Sequence, residues 1–228
     1  MVEAKRWTFV VFFAIAMSWL ESATVVYLRT LVDRINPYQP YPLPMFGRLG
    51  QVELIREAAT LVMLFTVGWL AGNTSRTRLG YGAIAFGMWD IFYYVFLKLA
   101  IDWPTSLTDW DVLFLLPLPW WGPVIAPIAI SALMIAGGTL VTQFNHSARS
   151  IWPGHFALGL ELSGILLALY VFMADALRSM GGGPAVIRNV LPTWFNWPLF
   201  LVALSLMAAP IVDVSRQFLG NRPSRSLQ

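Results

Sequence analysis

LGYGAIAFGMWDIFYYVFLKLA, residues 79–100, holds one acid, Asp90, and one base, Lys98, in an otherwise uncharged run. As an α-helix at about 1.5 Å per residue it is roughly 33 Å long, enough to cross a hydrocarbon core of about 30 Å. Five further stretches read the same way, at 7–28, 54–72, 120–141, 156–177 and 194–214. The expectation is one domain over 1–228: an all-α, polytopic integral membrane protein built as a bundle of about six transmembrane helices.

Composition agrees with those spans. The chain is 57% hydrophobic and 12% charged, against about 45–50% and about 25% in soluble domains. That balance excludes a conventional soluble enzyme, a disordered protein and a nucleic-acid binder. The lipid bilayer is the expected surrounding, and a membrane-protein partner is a further expectation. Cys is absent, which excludes disulfides, thiolate nucleophiles and Cys-ligated metal centres. Only His146 and His155 are present. Both flank the loop after the fourth span and read as loop or interface residues.

Lys5 and Arg6 precede the first run as in a signal peptide, but the run continues past Glu21 to Leu28 with no small-residue cleavage site, so an uncleaved first helix is expected. Lys and Arg in short loops mark the cytoplasmic side. The loop after the third span carries Asp102, Asp109 and Asp111 and no base, whereas the C-terminal tail is basic. Both termini are therefore expected in the cytoplasm of a bacterial-type cell, with the protein in its inner membrane. Trp103, Trp110, Trp120, Trp121, Trp194 and Trp197 fall at the expected outer boundary, and Trp7, Trp69 and Trp152 at the inner one, where indoles favour the headgroup level.

Two segments break the pattern. Asn36-Pro37-Tyr38-Gln39-Pro40-Tyr41-Pro42-Leu43-Pro44 reads as a stiff, extended strap near polyproline II, or as a docking strip or lid. Leu116-Pro117-Leu118-Pro119-Trp120-Trp121-Gly122-Pro123, followed by Pro127, breaks the fourth span at its outer end. Either a short interfacial piece turns into a spanning helix near Gly122, or a re-entrant helix floors an outward-facing pocket. Small pairs at Ser18/Ser22, Gly68/Gly72 and Ala83/Gly87 permit close helix crossings, and Gly181 to Gly183 read as a flexible connection.

Ionisable residues inside a span are costly and face the bundle interior. By helical rise, Glu21 lies about 21 Å, Asp90 about 16 Å and Glu161 about 7 Å above the inner edge. Glu57, Lys98 and Asp175 fall near the outer boundary, with Arg56 and Arg178 as local counter-charges. Asp90, Tyr93, Tyr94 and Lys98 share one face of the third helix. With Glu21 and Glu57 they form the candidate polar cavity, opening outward. Three roles are open: binding a proton or cation coupled to a small solute, internal pairing that fixes register, and acid–base catalysis on a lipid. The third is disfavoured by missing hydrolase, zincin, prenyl-transfer and P-loop motifs, so no catalytic or metal residue is assigned and no cofactor is indicated. Asp109-Trp110-Asp111 reads as a helix cap rather than a metal pair. The functional expectation is a membrane protein with an acidic cavity for proton-linked or small-solute handling; the alternatives are a non-catalytic subunit of a larger complex and a lipid-modifying enzyme.

Overall fold

A computed structural model describes residues 2–40, 47–115, 118–144, 152–183, 186–187 and 189–220. The elements in chain order are α1 (Val2–Leu31), α2 (Gly47–Ala71), α3 (Ser75–Ile101), β1 (Trp110–Phe114), β2 (Trp120–Pro123), α4 (Ile125–Phe144), α5 (His155–Arg178), a 3-10 turn (Met180–Gly182), α6 (Trp197–Met207) and α7 (Ala209–Gly220). Six helical stretches are long and apolar enough to cross a membrane, the last combining α6 and α7. Large apolar side chains such as Phe9, Leu20, Phe65, Leu99 and Phe156 are exposed, as lipid-facing positions are.

α3 is the centre of the bundle and packs on α1, α2 and α4. Ser18 and Ser22 of α1 donate to the Trp89 and Tyr93 carbonyls of α3 at 2.8 and 3.1 Å, so these small side chains bond as well as permit approach. A Cβ on Gly138 would lie 2.4 Å from the Gly80 oxygen, and one on Gly87 2.6 Å from the Ser131 oxygen. Glycine at both positions therefore sets the α3–α4 separation. α5 packs chiefly on α6, around Ala168, Phe172, Phe195, Phe200 and Ala203.

Two contacts establish which helix ends lie together. Tyr81 near the start of α3 donates to the Glu3 carboxylate at 2.7 Å, and Gln217 of α7 donates to the Trp152 carbonyl at 3.0 Å. Arg76 also lies over the Trp152 ring at 5.7 Å. The two ends of the described chain thus share one end of the bundle, here the terminal end; the other is the hairpin end.

Three features of the fold follow from backbone chemistry. First, the helical bundle carries a short two-stranded hairpin that the sequence reading did not expect. Trp110–Phe114 and Trp120–Pro123 pair as an antiparallel hairpin, Trp110 with Pro123, Asp111 with Gly122 and Val112 with Trp121. The segment is rich in proline and aromatic residues, and a hairpin pairs its own backbone where a proline-broken helix leaves it unpaired. Second, of the two readings of the fourth span, the structure has the spanning helix starting just past the prolines, at Ile125, with the hairpin in place of an interfacial piece; Pro127 sits in its first turn, where the N–H has no helical partner to lose. Third, the last span is jointed at Ala208 between α6 and α7. Pro210 has no N–H for the Leu206 carbonyl, which explains the joint.

Residues 36–40 are bent rather than extended. Asn36 Oδ1 accepts from the Tyr38 N–H at 2.9 Å, and the Gln39 N–H donates to the Pro37 carbonyl at 3.1 Å. Tyr38 then lies against Trp110 and Trp121, and its hydroxyl donates to the Pro192 carbonyl at 2.8 Å. The rest of the proline segment, 41–46, lies outside the described residues, as do Leu116, Pro117 and His146. Trp103 and Trp121 are buried around the hairpin, while Trp194 and Trp197 are exposed.

Candidate functional site

The candidate site is a cavity of about 120 Å³ at the hairpin end, between α1, α2, α3 and the hairpin. α2 supplies Glu53, Arg56, Glu57 and Thr60, whose spacing of three and four puts them on one helix face. α1 supplies Glu21 and Arg29, α3 supplies Trp89, Asp90, Tyr93 and Tyr94, and the hairpin supplies Asp111.

Two ion-pair centres organise the walls. Arg56 bridges Glu21 of α1 and Glu53 of its own helix, and Thr60 donates to the second Glu21 oxygen at 3.1 Å. Arg29 pairs with Asp111 at 2.9 Å and lies over the Trp103 ring at 4.1 Å. Asp111 is outside the helical spans. Burial pushes its carboxyl above the ordinary aspartate value, and Arg29 and the Val112 N–H oppose the rise. Each centre ties α1 to a different neighbour, to α2 through Arg56 and to the hairpin through Arg29.

Two carboxylates are left outside these pairs. Glu57 accepts the Leu115 N–H at 3.2 Å, and Asp90 accepts the Ser131 hydroxyl of α4 at 2.8 Å. Neither forms an ion pair among the described residues, and both are buried. The Trp89 indole N–H likewise has no hydrogen-bond partner among the described residues, and its ring is stacked on Tyr93 with centroids 6.4 Å apart. Five carboxylates and three guanidiniums line the cavity, counting Arg34, so with all of them ionised the walls carry an excess of two negative charges.

The structure brings Glu21, Glu57, Asp90, Tyr93 and Tyr94 to this cavity. It does not bring Lys98, which is half-exposed and pairs with Asp102 at 2.6 Å. Arg178 pairs with Asp175 one turn away on α5, whereas Arg56 engages Glu21 and Glu53 rather than Glu57. Asp109 and Asp111 play unrelated parts. Asp109 accepts the Thr105 and Ser106 N–H groups in an exposed turn, while Asp111 is the buried partner of Arg29; neither caps a helix. No group of three or more His, Asp or Glu among the described residues is placed to hold a metal ion.

Glu53, Thr60, Ser131 and the Arg29–Asp111 pair are additions to the sequence-derived set. The first two were signalled by the 53, 56, 57, 60 spacing, a charged stripe entering an apolar run. Arg29 and Asp111 are 82 positions apart, and nothing local in the sequence joins them. Comparison with family models, with curated proteins and with solved structures finds no match to this chain.

Proposed function

We propose that this membrane protein handles a small organic cation in exchange with protons, through the cavity at the hairpin end. The observation that carries the reading is the pair of buried carboxylates, Glu57 and Asp90, which form no ion pair among the described residues. A buried carboxylate is stable when protonated or when a cation faces it. At about 30 Å³ per water, the cavity volume suits a few waters or one compact cation. Trp89 and Tyr93 add aromatic faces, which attract organic cations electrostatically. In this reading the hairpin end faces outward and both termini face the cytoplasm of a bacterial-type inner membrane. The acidic 102–111 loop and the basic C-terminal sequence support that orientation.

Tetramethylammonium is a suitable probe because it is permanently charged and crosses lipid poorly. In proteoliposomes holding a pH-sensitive dye, an imposed tetramethylammonium gradient should move protons the opposite way. Glu57→Gln and Asp90→Asn should each reduce that response at least tenfold while the protein still reconstitutes. A response equal to that of empty liposomes would remove the reading.

A further inference from the structure

Beneath the charged cavity lies a second one of about 540 Å³. It is a half-open chamber lined by α3, α4, α5 and α7, with Phe114 and Trp120 of the hairpin at one end and Trp152 at the other. α5 packs on α6 and α7 in preference to α4, so the chamber occupies the seam between two parts of the bundle. We infer that this chamber holds one hydrocarbon chain of a membrane phospholipid.

Its shape is the first argument. The chamber is lined from Leu79 to Asp90 on α3, from Pro127 to Val141 on α4 and from Leu158 to Phe172 on α5. At about 1.5 Å per residue these walls run roughly 17–21 Å along the helices. Spread over that length, the volume gives a mean cross-section of roughly 30 Å². A hydrocarbon chain whose carbons meet their neighbours at about 4 Å needs roughly 20 Å². A transmembrane helix about 10 Å across needs on the order of 80 Å². The chamber is therefore long and narrow, and its section matches a hydrocarbon chain better than a helix.

Its chemistry is the second argument. The lining is overwhelmingly apolar, and apolar cavities stay dry and take apolar guests. The carboxylates on its wall lie near opposite ends: Asp90, already bonded to Ser131, at the hairpin side, and Glu161 within the first two turns of α5. Arg76, half-buried against Trp152, puts a cation at the terminal mouth, the polarity a lipid phosphate needs. The inference is independent of what the charged cavity binds.

The test is photolabelling in phosphatidylcholine vesicles doped with a phospholipid carrying a diazirine in its acyl chain, with adducts mapped by peptide mass spectrometry. Wild-type protein should carry adducts at Met134, Leu158 and Ile211 inside the chamber as well as at the outward-facing Phe9 and Phe65. Gly137→Leu should lower the chamber adducts at least fivefold and leave the outward ones unchanged. A Cβ at Gly137 meets only the Ile211 side chain, at 3.4 Å, and no backbone, so the new side chain enters the chamber beside α7 without driving into a helix backbone. Ala83→Phe, from the α3 wall, is an independent plug with the same expected result. Adducts confined to outward-facing positions in the wild type would overturn the inference, as would chamber labelling that neither plug reduces. Cross-links from the chamber to a second protein chain would also overturn it.

Discussion

The two cavities meet at Asp90, Leu113 and Phe114, which line both, yet they are built in opposite ways. The hairpin-end cavity is small and crowded with charge. The chamber beneath it is larger and almost without charge. The difference comes from which helices each one uses. The first is walled by the charged opening turns of α2 and by the last turns of α1, where the helices approach the hairpin. The second is walled by α4, with no ionisable residue over Ile125–Phe144, and by the apolar faces of α5 and α7. Ionised groups in a bundle must be paired or exchange with water, so the charged cavity tightens around Arg29 and Arg56. Apolar walls have no such attraction across the gap, and lipid is an adequate filler for it. Asp90 sits at the joint, bonded across to α4 through Ser131.

The sharpest way to break this contrast is to unpair the charged side. Arg29→Ala leaves Asp111 buried with no counter-charge and should cost about 3–5 kcal/mol, read as a large fall in the thermal transition in detergent. Replacing both partners, Arg29→Met with Asp111→Leu, should recover most of that loss.

Adjacent glycines separate packing from open space. Gly138→Leu drives a side chain into the Gly80 backbone and should destabilise by about 1–3 kcal/mol or more. Gly137→Leu, one position away, faces the chamber and should leave the thermal transition within about 0.5 kcal/mol of wild type. Equal losses in the two variants would show that the chamber wall is packed like the α3–α4 contact.

Within the charged cavity, paired and unpaired carboxylates should behave differently. Glu57→Gln keeps an oxygen for the Leu115 N–H and should change stability by about 1 kcal/mol or less, while Glu21→Ala, which leaves Arg56 with one partner fewer, should cost more in the same assay. The smallest effect should come from Lys98→Met. Its pair with Asp102 is exposed, and such pairs contribute about 0–1 kcal/mol; the variant should also leave the cation response unchanged.

The sequence made the helical spans legible because length and hydropathy are local properties. It also made Glu21, Glu57, Asp90, Tyr93 and Tyr94 legible as one group, since a charged or phenolic residue in a span has few places to point. Lys98 was misplaced because helix-face geometry puts it in line with Asp90 but says nothing of Asp102, which caps the same helix in a left-handed conformation. The hairpin was hidden because its prolines mark where a helix fails without stating what replaces it. Its pairing is set by tertiary contacts, such as the Phe172 ring 2.8 Å from where a Cβ on Gly122 would lie. The Arg29–Asp111 pair became visible only once that hairpin was in place.

The central claim, that Glu57 and Asp90 exchange a proton for a cation, is tested most directly by infrared difference spectroscopy of the protein in lipid, titrated with acid. The account predicts a protonated-carboxyl band with separate contributions that vanish in Glu57→Gln and Asp90→Asn, and that shrinks when tetramethylammonium is added at fixed pH. A band unaffected by either substitution or by the cation would contradict it.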